Sequence, residues 1–408
     1  MGLFQRKRIY LDHASATPVL SEVVDAMHSA EEASANPGAI HAEGVTAKRV
    51  LEEARKTIAG ELGCKPRQVI FTSGLTESNN LAILGFARKL ALSGTSLPNT
   101  HWIVSSIEHD SILECFGEIE RLGGIVTHVD PDAKGVVTPE RVARALRPET
   151  VFVSIGWANN EIGVVQPLRA IARVLRSEKT GARIVFHSDA GQGPLYISPQ
   201  VHTFDVDLFS LGAGKLYGPR GIGALFMSEP KLVAPILLGG SQEAGIRAGT
   251  EEPVLASGFA RAIEVISKER NEEVVRLKPL RDLLLHELSL RIRGLVVNGD
   301  LQHVLPHMLN VSIPDVSTEY LVLALDHEGI SISTKSACRE GEQSSHVVLH
   351  LAEASAEATK APLEAWRSQN TLRFSLGRGT TSRDIIRTAE ALERVTSRAF
   401  PFAETGPK

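Results

Sequence analysis

The stretch Val69-Ile70-Phe71-Thr72-Ser73-Gly74-Leu75-Thr76-Glu77 passes from an apolar run through a glycine turn into a helical pattern. A short run with no polar alternation suits a strand covered on both faces. The glycine turn and the Thr at the helix start expose backbone N–H groups and a hydroxyl, an arrangement that suits a phosphate. The same residues equally suit a plain N-cap after a flexible turn. Working outward, strand-like runs recur at 102–105, 125–129, 151–155, 184–187, 208–211 and 224–227. Helical patterns at 21–33, 42–62, 77–90, 111–122, 139–146 and 167–176 precede or separate them. In the second of these, Val50, Leu51, Ala54 and Ile58 form an apolar stripe and Gly63 stands where a helix stop belongs. Alternation of this kind predicts an α/β layer fold with a mainly parallel sheet.

Beyond Thr250-Glu251-Glu252-Pro253 the pattern changes. A long helix is predicted over 254–290 with a break near Pro279. Strands follow at 295–298, 309–313, 330–333 and 372–375, with helices at 318–328, 345–352 and 383–397. The reading is a large domain over 15–253 and a smaller α+β domain over 254–408, completed by the N-terminal segment 1–14.

The chain has 408 residues, with 44 Lys plus Arg against 48 Asp plus Glu and a net charge of -4. That balance gives no general footprint for nucleic acid or an anionic membrane. No apolar run approaches the roughly 18 residues of a membrane span, and the N-terminus has no apolar region that would make it a secretory signal. Cys64, Cys115 and Cys338 are widely spaced and form neither a disulfide framework nor a CxxC metal pair, so a reducing, cytoplasmic setting and no metal are expected.

Several residues suit chemistry. Asp189 follows the strand at 184–187, where open α/β sheets bind ligands, and a carboxylate buried there needs a cationic partner. Lys215 follows Gly212-Ala213-Gly214, which fails the P-loop pattern; a lysine amine can instead form a Schiff base with an aldehyde. His109 lies just past the strand at 102–105, and Asn160 past the one at 151–155. Cys338 sits in the polar run Ser336-Ala337-Cys338-Arg339-Glu340-Gly341, whereas Cys64 and Cys115 read as structural. Arg373 and Arg378 are each able to clamp a carboxylate or to pair with a structural acid.

Taken in order, FTSGLTESNN, NNEIGVVQ, HSDAGQ, GKLYGPRGIGAL, GIRAGTEEP, STKSAC and LRFSLGR resemble the NifS/IscS-like cysteine desulfurases, class V members of the fold-type I pyridoxal 5′-phosphate enzymes. The resemblance runs from LDHASATP near Leu11 to about Arg378. It implies a seven-stranded, mainly parallel sheet in the large domain. It implies that Lys215 carries the cofactor, Asp189 pairs with its ring nitrogen and His109 stacks on its ring. Thr76 and the backbone at Leu75 would hold its phosphate, and Gln192 and Asn160 would bond its phenolic oxygen or the substrate. Thr250 would reach a phosphate in the neighbouring subunit, so a homodimer is implied. Arg373 would bind the carboxylate of L-cysteine, and Cys338 would take up the sulfur as a persulfide and pass it to an acceptor protein that the sequence does not identify. The run from Cys338 to Val347 would be the extended loop that carries it.

The chain departs from the family pattern at three places. Gly212 and Gly214 stand where Ser and His usually precede the lysine, which weakens the expected phosphate contacts. Ala244 stands where Arg is common. The sequence stops soon after its last helical pattern, without the long C-terminal extension that some members use to dock an iron–sulfur scaffold, so that partnership is not expected. The rival readings are a selenocysteine lyase or other class V aminotransferase, and a non-catalytic partner protein of the same fold.

Overall fold

The computed structural model describes residues 7–33, 35–177, 183–334 and 344–399. Its strands are β1 Ile9–Tyr10, β2 Val69–Thr72, β3 His101–Ser105, β4 Ile125–Val129, β5 Thr150–Ser154, β6 Val185–Asp189, β7 Leu208–Gly212, β8 Gly223–Met227, β9 Val296–Val297, β10 Met308–Ser312, β11 Ile330–Ser331 and β12 Thr371–Ser375. Seven of them form one sheet in the order β2-β8-β7-β6-β5-β3-β4. Only β8 runs antiparallel to its neighbours. The expected mainly parallel, seven-stranded α/β fold is therefore present.

Both faces of this sheet are covered, which is why its strands read as continuous apolar runs. On one face Trp102 and Phe152 pack with Phe86 and Phe116. On the other, Phe209 meets Trp157 and Phe204. A second, antiparallel sheet has the order β12-β10-β9. The N-terminal strand β1 pairs with β11, and the chain then bridges from Asp12 to Ser375 at the end of β12.

Some expected boundaries move. The helix expected over 21–33 ends at Ala30 and continues as a 3₁₀ turn, Glu31–Ala33. The helix expected over 345–352 runs further, over His346–Thr359. The break near Pro279 is absent: Pro253–Arg291 is one helix with Pro279 inside it. Proline removes the N–H that would bond the carbonyl of Val275. Val275 is 76% exposed, which puts that turn on the solvent side of the helix, while Leu277, Leu280, Leu284 and Leu288 bury the other side.

A buried ion pair fixes the approach to β2. Arg55, on helix Ala42–Leu62, donates to both carboxylate oxygens of Glu243 at 2.7 and 2.8 Å. The Phe71 N–H donates to the same carboxylate at 2.9 Å, and Arg55 reaches the Val69 carbonyl at 2.8 Å. Glu243 therefore ties its turn to the strand that delivers Leu75 and Thr76. Removing one partner of such a pair leaves an uncompensated buried charge. Glu243→Gln is expected to cost about 3–5 kcal/mol, seen as a lower denaturant midpoint; an unchanged midpoint would show that the pair contributes no net stability.

Candidate functional site

The carboxyl ends of β2, β3, β5, β6 and β7 open on one cavity of about 170 Å³. This is the edge at which parallel sheets take ligands, because helix N-termini and strand-end loops converge there. Of the residues singled out in the sequence, Leu75, Thr76, His109, Asn160, Asp189, Gln192 and Lys215 all line it.

Leu75 opens helix Leu75–Leu92 behind Gly74, which has no capping side chain. The leading N–H groups of a helix have no acceptor within it, and here they lie at the cavity wall. Asp189 ends β6. Its Oδ1 accepts from the Gly191 N–H at 2.7 Å and its Oδ2 from Asn79 Nδ2 at 2.7 Å. His109 caps helix Asp110–Arg121, and its Nδ1 accepts from the Ser111 N–H at 3.1 Å. That bond fixes the tautomer with the proton on Nε2.

The N-terminal segment holds two of the side chains that line the cavity. Lys215 Nζ donates to the carbonyls of Ala14 at 2.9 Å and Ser15 at 2.7 Å. Gln192 Nε2 donates to the Ala14 carbonyl at 2.9 Å. Arg373, on β12, is buried beside this segment. Its Nη2 donates to Asp12 Oδ1 at 2.8 Å and Ser15 Oγ at 2.6 Å, and its Nη1 to the Asn160 carbonyl at 2.8 Å. Asn160 thus joins the arginine to the cavity.

Other residues fall elsewhere. Thr250 lies on an exposed turn and does not line this cavity. Arg378 pairs with Glu269 and lies over the Tyr217 ring. Burial pushes the Cys64 and Cys115 thiols up to about 12, which keeps them unreactive. Cys338 lies outside the described residues, as does most of the loop assigned to it; Val347, the end of that loop, is already in helix His346–Thr359. Among the described residues there is no three-residue cluster of metal-ligand type, and no helix is long and apolar enough to cross a membrane.

Sequence reasoning missed Glu108. It lines the cavity, is 6% exposed, and accepts from the Gly156 N–H at 2.7 Å. Burial, with the nearby Asp189 charge adding to it, raises its pKa to about 8. Its position before His109 in Glu108-His109 was the only signal, and nothing in that pair announces burial. Beneath the cavity His187 bridges Ser154 and Ser210 at 2.9 Å each; burial lowers its pKa to about 3, so it is a neutral strut.

The structure explains the glycine before the lysine turn. A Cβ on Gly212 would lie 2.9 Å from Leu75 Cβ and 3.2 Å from its N, and one on Gly191 would lie 2.5 Å from Leu75 Cδ2. Leu75 occupies the room that a larger residue at 212 would take. A Cβ on Gly214 would meet nothing nearer than Arg220 Cγ at 3.5 Å.

The model of the aminotransferase class-V family matches residues 9–387. A cysteine desulfurase IscS of Dictyoglomus turgidum is 38% identical over 392 residues, 96% of this chain and 95% of its own. Another, IscS 1 of Archaeoglobus fulgidus, is 36% identical over 391 residues, covering 95% of this chain and 97% of that one. Among solved structures, a NifS-like protein superposes with a TM-score of 0.86 at 29% identity over 96% of this chain and 100% of that chain. SspA in complex with cysteine superposes with a TM-score of 0.73 at 31% identity, over 90% of this chain and 98% of that chain.

Two outcomes follow from the packing. Gly212→Ser should destabilise by about 1–3 kcal/mol through overpacking on Leu75, and Gly214→Ser should not; equal melting temperatures for the two variants would contradict the geometry. The second concerns pH. Glu108 rises from 4.5 to about 8 on folding, so between those values the folded chain holds the extra proton and stability from this group falls as pH rises. Glu108→Gln removes that slope, so the variant should gain on the parent as pH climbs through this window. Parallel stability curves for the two proteins would refute the buried neutral acid.

Proposed function

This chain belongs to the class-V aminotransferase family and is a cysteine desulfurase, and from that premise we propose how its own residues divide the work. Its family uses pyridoxal 5′-phosphate, and the cavity fits that group. A lysine amine, a carboxylate and an uncapped helix N-terminus line one space, matching the aldehyde, the protonated ring nitrogen and the phosphate. When bound, the cofactor supplies an electron sink that lets bonds at and beyond an amino acid's α-carbon be broken.

Lys215 is the amine that would hold the cofactor's aldehyde. The carbonyls of Ala14 and Ser15 aim it. Asp189, oriented by Asn79 and Gly191, would keep the ring nitrogen protonated. His109 would cover the ring face, and the N–H groups at Leu75 and Thr76 with the Thr76 hydroxyl would take the phosphate. Gln192 and Asn160 would bond the phenolic oxygen or the substrate. Thr250, exposed on its turn, would serve the phosphate of a second subunit in a homodimer. Arg373 would take the carboxylate of L-cysteine. The amine of Lys215 would also be the base that accepts the proton from the substrate's α-carbon.

Cys338 would act as a thiolate. A bond forms between its Sγ and the substrate sulfur, the substrate's carbon–sulfur bond breaks, and the carbon takes a proton so that alanine leaves. The persulfide then passes to an acceptor protein. A reaction that runs on a reduced thiol fits the reducing, cytoplasmic setting expected from three scattered cysteines.

The observation that carries this assignment is the meeting of Lys215, Asp189 and His109 in one cavity although they come from three different strand ends. Lys215→Ala should purify without visible absorbance and make no alanine from L-cysteine. Cys338→Ala should keep the absorbance but release no sulfide in the presence of a reductant. Full turnover in the first variant, or normal sulfide release in the second, would overturn the corresponding role.

A further inference from the structure

We propose that Asp12 is an internal carboxylate seated on Arg373, which the carboxylate of an incoming amino acid must displace, so that Asp12 sets how tightly the site takes its substrate. The inference rests on the assignment of Arg373 to the substrate carboxylate and adds a competitor for it.

Arg373 is 2% exposed, and three of its five N–H groups are engaged. One Nη1 hydrogen goes to the Asn160 carbonyl at 2.8 Å. Both Nη2 hydrogens go to a single segment, to Asp12 Oδ1 at 2.8 Å and Ser15 Oγ at 2.6 Å. Nε is buried and has no acceptor among the described residues. A guanidinium grips a carboxylate best through two parallel N–H groups. Any such grip that includes Nη2 is blocked while Asp12 and Ser15 hold it. What is left is Nε and one hydrogen of Nη1, which supply first contact but not the Nε–Nη2 fork. Charge acts in the same direction, because Asp12 neutralises Arg373 and an approaching carboxylate meets an ion pair instead of a bare cation.

The pair is built to exchange. The Asp12 side chain is 20% exposed against 2% for Arg373, so a displaced Asp12 carboxylate reaches water while the arginine stays buried. The Asp12 backbone is fixed independently. Its carbonyl accepts from the Tyr10 hydroxyl at 3.0 Å, and the residue bridges to Ser375. The side chain can therefore swing without moving the strap that holds Lys215. Ser15 Oγ also donates to Asp12 Oδ1 at 2.9 Å, which holds the carboxylate in place while no other anion is present.

The test is titration calorimetry on cofactor-loaded protein with L-alanine, and with ethylamine as the probe that lacks a carboxylate. Asp12→Asn removes the competing charge at constant shape. It should bind L-alanine about tenfold more tightly, leave ethylamine unchanged, and lower the KM for L-cysteine without raising kcat. Ser15→Ala frees one Nη2 hydrogen with every charge retained. It should tighten L-alanine in the same direction by a smaller factor, and it carries the test if Asp12→Asn does not fold. L-Alanine binding that is weaker or unchanged in both variants overturns the proposal and makes Asp12 a fixed support. Arg373→Ala separates the two layers. If it leaves L-alanine binding intact, the assignment of Arg373 itself fails; if it weakens binding while Asp12→Asn also weakens it, only the displacement fails.

Discussion

The ammonium of Lys215 rests on two backbone carbonyls, those of Ala14 and Ser15, and much of the rest follows from that contact. A lysine held this way is aimed and partly desolvated, yet it is bonded to neutral acceptors and not paired with a carboxylate at these two contacts. Both carbonyls belong to a segment that is itself pinned at each end. Upstream, β1 pairs with β11 and Asp12 meets Arg373. Downstream, Thr17 accepts from the Tyr217 N–H at 2.7 Å and reaches the Gly214 carbonyl. The N-terminal strap thus joins the lysine turn of the large sheet to the small antiparallel sheet that carries Arg373. A few consecutive residues thus bond both the Lys215 amine and the Arg373 guanidinium.

The parallel sheet supplies the wall of the cavity. Five strands release their chains at one edge, and each release carries a different functional group. Under that edge His187, kept neutral by burial, bridges two serine hydroxyls, and Trp102 and Phe152 belong to the apolar packing on one face of the sheet. The strand ends bring Asp189 and His109 to the same cavity as Lys215, which the N-terminal strap holds. Glu108 belongs to that wall as an acid whose pKa burial raises to about 8, with the nearby Asp189 adding to it.

Much of this was legible in the sequence, for reasons that are local. Strands covered on both faces are apolar throughout, so β2, β3 and β7 stood out. Their turns carry glycine where backbone approaches backbone, as at Gly212 against Leu75. The lysine, aspartate and histidine each follow a strand end, but it is the resemblance of the surrounding motifs to the cysteine desulfurases that picks them out together. Three features were not local. Asp12 and Ser15 meet Arg373 across separations of 361 and 358 residues, and no spacing rule reaches that far. The unbroken helix at Pro279 depended on which side of it faced water. Glu108 differs from any surface glutamate only by what surrounds it.

The most direct measurement of the central assignment is covalent mapping. Purified protein supplied with pyridoxal 5′-phosphate would be reduced with borohydride, digested, and the modified peptide sequenced by mass spectrometry. The account predicts a single reduced pyridoxyl group on Lys215. A modification confined to another lysine, or none at all in protein that turns over L-cysteine, would contradict it.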